Sequence, residues 1–306
     1  MTHYSKARKS TFFIRKVLIL LGIVIGIYIL FLGIKYLFYT NFYLECPQTV
    51  DVHPNKKRIF LQINLTNKNE INDLSFYFYE TSRIYILKFD GQDWVKLYFK
   101  KEPYIQLKYL PRLIKTPINY CRLIEEINSI TGIPINDFII FNNNKLSRTN
   151  LKPIELAYFY ITQKLHKKQS LTVTPTLKAQ LPDSTPVRLI SYEDIQKVTQ
   201  PLLQDETLLQ EGIFVEVYNA TQKPGYATLW ARRLKTLGIN ILRAGNSPYF
   251  PEYADFDVLL FRKDSTTKSK TYSTIKMLLK GKKIIETNQR PQLLLTTGDI
   301  VIILLK

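Results

Sequence analysis

Asn219, Ala220 and Thr221, followed by Gly225, come nearest to a binding device in this chain. A polar turn leading into a helix N-terminus exposes backbone N–H groups that lack intrahelical partners, and such groups can hold a phosphate or a carboxylate. Turn chemistry alone also accounts for an Asn at the bend and a Gly at the helix start. Elsewhere the reactive residue types are scattered. His3, His53 and His166 form no HExxH or Cys/His cluster, so no metal site is expected. Cys46 and Cys121 lie in different segments, and a disulfide between them stays open. Cys121 falls on an apolar helical face, where it reads as a buried thiol acting as a small hydrophobe. Glu125 and Glu126 are neighbours, but helical neighbours point about 100° apart, so they read as two solvated carboxylates. There is no Ser/His/Asp set, Walker loop or dinucleotide fingerprint.

The elements that must position Asn219 and Gly225 are legible on either side. Ile213 to Tyr218 carries the β-branched and aromatic residues of a partly buried strand. Ala227, Trp230, Ala231, Leu234 and Leu237 recur at helical spacing, with Arg232, Arg233 and Lys235 on the other face. Gly238 stops that helix as a C′ residue, and a second strand follows at once. Strand, helix and strand joined by such short loops form a right-handed crossover on a sheet. The runs VEVYNAT, PGYATLWARRLKTLG and INILRAGN, with DIVIILL at the C-terminus, resemble the C-terminal domain of the LytR-CpsA-Psr family of cell-envelope proteins. In that family a strand ending in an Asn-Gly/Ala-Thr turn precedes a helix opening with Gly and an alanine, a pattern matched by Asn219, Ala220, Thr221, Gly225 and Ala227. The resemblance covers residues 212–306 and implies a small α/β domain; Asn219, Thr221 and Gly225 are its candidate binding residues through the turn and helix start described above.

The other end of the chain is a membrane signal. Val17 to Ile34 is uncharged and strongly apolar, and if Lys35 snorkels to the headgroups the run extends to Tyr39, long enough to cross a bilayer about 30 Å thick. Residues 17–39 are therefore expected to form a single transmembrane helix, with a basic tail at 1–16. Lys6, Arg8, Lys9, Arg15 and Lys16 precede it and only Lys35 closely follows, which places the N-terminus in the cytoplasm and the rest outside. Residues 35–47, KYLFYTNFYLECP, offer neither the small residues of a signal-peptidase site nor those of a lipoprotein site. Tyr36, Tyr39, Phe42 and Tyr43 read instead as an interfacial aromatic belt. The chain carries a net charge of +18, which usually suggests nucleic acid. An exterior domain meets anionic lipid, phosphate-bearing polymer and peptidoglycan carboxylates instead, so no nucleic-acid partner is expected and a DNA-binding regulator ranks last.

After a linker at 40–55, residues 56–211 read as a second folded unit. RIFLQINL and LSFYFYETSRIYILKFDGQDWVKLYF give three or four strands with a turn at Asp90-Gly91. A helix follows between Asn119 as N-cap and Gly132 as C′ residue, then the strand of GIPINDFIIFN and a helix from Pro153 to about His166. QSLTVTPTLKAQLPDSTPVR reads as an extended loop, and Ser191 with Asp194 forms a capping box for a helix interrupted at Pro201. The fold class is therefore α/β (α+β): one transmembrane helix, a mixed α/β sandwich domain and a small α/β C-terminal domain.

IEEINSITGIPINDFIIFN is similar to a helix and Gly-Ile-Pro-Ile strand entry in the LytR-CpsA-Psr catalytic domain. Active members move an anionic glycopolymer from a polyprenyl pyrophosphate to peptidoglycan, which needs arginines on the pyrophosphate, acidic residues at the metal or nucleophile and an apolar lipid pocket. The Pro-Arg-Asp signature of that family has its best counterpart here in Gly91-Gln92-Asp93, so the arginine is replaced. A neutral Gln92 lacks the charged bidentate fork, and losing such a contact removes several orders of magnitude in rate. The early Arg and Asp-Thr pair of the first strand has no counterpart either; Arg58-Ile59-Phe60 stands there. The resemblance thus implies a diverged domain in a membrane-anchored envelope protein that binds or scaffolds glycopolymer, peptidoglycan or lipid-linked precursor without catalysis. The alternative is a residual phosphotransferase using Mg²⁺, with Asp93, Arg83 and Arg112 as the residues to meet in one cleft; Arg122 and Arg148 are further arginines of this unit.

Overall fold

The computed structural model describes residues 4–46, 58–97, 104–114, 118–176, 178–248, 250–290 and 295–306. His3, His53 and the expected linker beyond residue 46 lie outside these residues. The chain begins with α1 (Tyr4–Asn41), whose stretch Leu20–Asn41 is long and apolar enough to cross a membrane. Residues 42–46 are not a free linker. Leu44 N–H donates to the Thr149 carbonyl at 2.8 Å, Thr149 N–H donates to Phe42 at 2.9 Å, and Cys46 is disulfide-bonded to Cys121. The reading of Cys121 as a buried free thiol is therefore corrected: its helix starts where residues 44–46 pass, close enough for the bond.

The first unit is built on a mixed sheet, formed from β1 (Arg58–Leu65), β2 (Ile71–Tyr79) and β3 (Arg83–Asp90) as an antiparallel meander. Short strands β4 (Trp94–Lys96) and β5 (Tyr104–Gln106) and a 3₁₀ helix (Leu107–Ile114) follow. Then come α2 (Tyr120–Thr131), β6 (Asp137–Asn142), β7 (Lys145–Thr149), α3 (Pro153–Leu165), β8 (Lys167–Leu171), β9 (Lys178–Gln180), β10 (Pro186–Ile190) and α4 (Tyr192–Leu203). The six-stranded order is β7-β6-β1-β2-β3-β8, and a smaller sheet runs β5-β4-β10-β9.

Period-two alternation explains why the large sheet is covered on both faces. Ile59, Leu61, Ile63, Phe76, Phe78 and Phe138 point to the side taken by α2 and α4. Phe60, Tyr77, Ile84 and Ile139 point to the other side, where Phe159 of α3 inserts 4.9 Å from Phe60 and 5.6 Å from Tyr77. Asn119 caps α2 and Gly132 ends it in the left-handed conformation, as expected. Gly132 is doubly required, since a Cβ there would lie 2.4 Å from the Tyr192 ring.

Three expectations for this unit are overturned. Residues 169–188 contain the end of β8, all of β9 and part of β10, because pairing with β4 and β3 overrides the Pro/Ser/Thr composition. α4 runs through Pro201 without interruption. Glu126 is buried on α2 and pairs with Arg122 one turn earlier at 3.6 Å.

After the short α5 (Glu206–Gln210), the second unit comprises β11 (Phe214–Asn219), α6 (Tyr226–Thr236), β12 (Asn240–Asn246), β13 (Val258–Arg262), α7 (Lys270–Leu278), β14 (Ile284–Thr287) and β15 (Ile300–Leu304). The strand order is β12-β11-β15-β13-β14. β15, Ile-Val-Ile-Ile-Leu, lies in the middle and is buried on both faces, which is why it shows no alternation. Beside it on β11, Glu216 is buried to 1 % exposure yet fully engaged: it accepts from Thr297 N at 3.0 Å, Gly298 N at 2.9 Å and the Tyr218 hydroxyl at 2.7 Å. Burial opposes ionisation, but these donors outweigh it and hold the carboxyl below its usual range.

Two predictions follow from these locks. Cys121→Ser releases a cross-link between positions 75 residues apart and should lower stability by about 2–5 kcal/mol, read from urea unfolding; the unreduced wild type should take up no maleimide. Because the folded Glu216 pKa is depressed, its contribution is present above the unfolded value of about 4.3 and is lost as pH falls through the folded one. Glu216→Gln should therefore cost about 2 kcal/mol at pH 7, with the deficit shrinking by roughly pH 3; equal deficits at both pH values would contradict this.

Candidate functional site

Asp93 closes the β3–β4 turn. It is 3 % exposed, accepts from Asp90 N–H at 2.9 Å, and its own carbonyl accepts from Leu107 N–H at 2.9 Å, so it fixes both the turn and the start of the 3₁₀ helix. Burial pushes its carboxyl pKa up, against the lowering effects of the Asp90 hydrogen bond and Arg188. Gly91 is there for space: a Cβ would meet the Ile71 carbonyl oxygen at 2.1 Å. Gln92 is exposed and accepts from the Lys108 ammonium at 3.1 Å.

The arginines expected beside Asp93 do not converge on it. Arg83 stands exposed at the opposite end of β3, about 23 Å along the strand from Asp90. Arg112 is near the Asp93 end but is ion-paired with Glu70 and lies 5.0 Å over the Tyr109 ring. Arg122 pairs with Glu126. Arg148 donates to the carbonyls of Asn41 and Ser147, holding the end of α1. The arginine that does reach Asp93 is Arg188, at 3.5 Å. It sits on β10, whose parallel pairing of Leu189 with Trp94 delivers it there, and it was hidden in the stretch read as a loop. The alternation in Val187-Arg188-Leu189-Ile190 was the signal for a strand.

Between the large sheet and the helices α2 and α4 the core is closed. Leu74, Phe89, Val95 and Leu107 face Ile127, Ile130 and Ile195 across a residual void of about 10 Å³, room for about one water. A polar cleft of about 470 Å³ opens at the carboxyl ends of the parallel pair β1 and β6, the position where open α/β sheets place ligands, and a second space of about 590 Å³ lies between the end of α1 and the start of α2, lined by Leu44, Asn69, Ile118, Tyr120 and Arg148 among others. Asn64, Thr66, Asn67, Lys68, Asn143 and Asn144 line the polar cleft. Asn64 is tied to Asp73 at 2.8 Å, and Thr66 Oγ accepts from the Lys68 and Glu70 amides. Asn143 and Asn144 form the two-residue β6–β7 hairpin turn with φ of 50° and 61°, which suits Asn. Their amides, with those of Asn67, point to no protein partner among the described residues and can both donate to and accept from hydroxyl groups.

In the second unit the sequence-predicted residues sit together, but their polar atoms are engaged. Asn219 Oδ1 accepts from Thr221 N–H at 3.0 Å and its hydroxyl at 2.7 Å, and Asn219 Nδ2 donates to the Lys223 carbonyl at 2.7 Å. Gly225 begins α6 in the left-handed region, φ 73°. The arrangement is a self-satisfied loop that aims the chain into α6. Arg232 and Arg233, expected on a solvent face, turn toward the first unit: Arg233 Nε donates to Asn128 Oδ1 at 2.7 Å, and the Arg232 guanidinium stacks 4.4 Å from the Tyr192 ring. Among the described residues no group of three or more His, Cys, Asp or Glu is placed to hold a metal.

Comparison with known proteins places the C-terminal unit. Residues 212–306 match the family described as LytR cell envelope-related transcriptional attenuator. No curated protein matches. Among solved structures, similarity is found to a LytR-CPS2A-psr family protein, YwtF (TagT), with bound octaprenyl pyrophosphate lipid, at 8 % identity and TM-score 0.40 over 52 % of this chain and 98 % of that one. B. subtilis TagT gives 9 % and 0.38 over 52 % and 97 %, and a LytR-Csp2A-Psr enzyme from Actinomyces oris gives 8 % and 0.26 over 53 % of each chain. These are distant likenesses, and the family information rests on the match at 212–306. The chain therefore carries a LytR C-terminal domain at residues 212–306, and the resemblance to LytR-CpsA-Psr cell-envelope proteins read from its sequence is borne out there.

Proposed function

We propose that this chain is a membrane-anchored, extracytoplasmic cell-envelope protein that binds a hydroxyl-rich cell-wall glycopolymer, or its lipid-linked precursor, without transferring it. The observation that carries the reading is the polar cleft of about 470 Å³ at the strand ends, lined by Asn67, Lys68, Asn143 and Asn144. Phosphoryl transfer from a lipid carrier needs an apolar pocket for the lipid and a cluster of cations on the pyrophosphate. Asp93 is occupied with the β3–β4 turn, and Arg188, which pairs with it, also donates to the Val173 carbonyl. Sugar recognition needs donors and acceptors in a wet cleft, which unpaired Asn amides and the Lys68 ammonium supply. The apolar stretch of α1 and the basic residues before it support an anchor with its N-terminus in the cytoplasm.

The test is sedimentation of the full-length protein with purified sacculi carrying their native glycopolymers and with sacculi stripped of them. Polymer-bearing sacculi should bind the protein, and Asn67→Ala, Lys68→Ala and Asn144→Gly together should weaken binding about 10- to 100-fold. Equal binding to stripped sacculi would remove the glycopolymer from the proposal. A polyprenyl phosphate co-purifying with the protein, and lost when residues 58–211 are deleted, would revive the transferase.

A further inference from the structure

α3 is apolar on both faces. Phe159 and Thr162 are buried on the sheet side, while Ile154, Tyr158, Ile161 and Leu165 stand outward at 79, 61, 55 and 76 % exposure. Their spacing of four, three and four residues sets them in one stripe, about 16 Å long. Other exposed large apolar residues outside α1, such as Leu113, Leu209 and Met277, lie singly on separate elements, as is ordinary for a surface. A continuous stripe is not ordinary.

Its location and its borders say what covers it. The residues leaving α1 are hydrogen-bonded to Thr149, and Thr149 precedes Ile154 by five residues, at most about 17 Å of chain. The Cys46–Cys121 disulfide keeps that junction from lengthening. Exposed Lys152, Lys164, Lys167 and Lys168 flank the stripe at its two ends, and Tyr158 and Tyr160 add aromatic rings of the kind that settle at headgroup level. Apolar side chains bordered by lysines, held beside a membrane helix, fit an anionic lipid surface.

We infer that the outward face of α3 is an interfacial membrane contact: the stripe enters the headgroup region of the outer leaflet that holds α1, with the flanking lysines on anionic lipid. This rests on the anchor reading above. The test reconstitutes the full-length protein in phosphatidylglycerol/phosphatidylcholine vesicles containing nitroxide-labelled lipid, with a bimane fluorophore on Tyr158→Cys, Ile27→Cys or Glu252→Cys; the native cysteines are bonded to each other. Labels at 27 and 158 should be quenched severalfold and the label at 252 should not. Ile154→Asp with Ile161→Asp should relieve quenching at 158 and leave it unchanged at 27. Quenching at 27 without quenching at 158 overturns the inference and keeps the anchor, whereas no quenching at 27 removes both. A 158 label untouched by lipid but shielded as protein concentration rises would assign the stripe to a second copy of the chain and overturn the inference equally.

Discussion

The packing of Phe76, Phe78, Phe89 and Phe138 between the large sheet and α2 is the constraint on which the rest of the molecule depends. Strand alternation sends all four rings to one side, with Phe76 6.1 Å from Phe89 and 6.4 Å from Phe78. A fully buried side chain of this class contributes about 1.5–3 kcal/mol, and truncating one costs about 3–5. An interior at that density cannot part to admit a lipid chain without forfeiting those contacts. This apolar surface is used to hold the fold. The open spaces lie at the periphery of the sheet.

The same face carries the joint between the two cores. Tyr192, at the start of α4, packs its ring against Gly132 at the end of α2 and donates its hydroxyl to the Arg232 carbonyl at 3.1 Å. Gly238 lets the end of α6 approach Asp205, whose N–H donates to the Leu237 carbonyl at 3.0 Å and whose carboxylate pairs with Lys270. Arg233 is the costly member: burial lowers its pKa, one Nη has no hydrogen-bond partner, and the Asn128 Nδ2 facing it is equally unsatisfied. Half-satisfied polar groups at a seam add little adhesion, so the joint relies on Tyr192 and the helix contacts around it.

Much of this architecture is legible in the residues because local and tertiary preferences agree. Asn119 and Gly132 bound α2, Ser191 and Asp194 cap α4, and the apolar spacing from Ala227 to Leu237 gives the buried face of α6. The failures occur where partners distant in sequence decide. Within residues 169–188, β8 and β10 form because β3 and β4 offer open edges to pair with, and β9 adds to β10, which composition cannot report. Arg188 reaches Asp93 only through that pairing, so the arginines nearer in sequence drew attention instead. The disulfide depends on residues 42–46 running along β7, a path no spacing rule encodes. Arg232 and Arg233 point away from their own apolar face, yet a second unit occupies the space that a lone helix would leave to water.

The two ends of the central strands then take on different roles. Arg58 at the start of β1 pairs with Asp137 at the start of β6 and with Glu155 in the first turn of α3, which fixes that helix across the amino ends of the parallel pair. The Asn-lined cleft opens at the carboxyl ends of the same two strands, past Leu65 and Asn142. Eight residues of β1 separate the two ends by about 23 Å. The first turn of α3 and the cleft therefore stand at opposite ends of β1. Extended strands crossed at one end by a helix are stiff, so the separation is set by β1 and not by a linker. The two ends of β1 thus differ in chemistry while the core between them stays closed: ion pairs through Arg58 at one end, an Asn-rich polar cleft at the other.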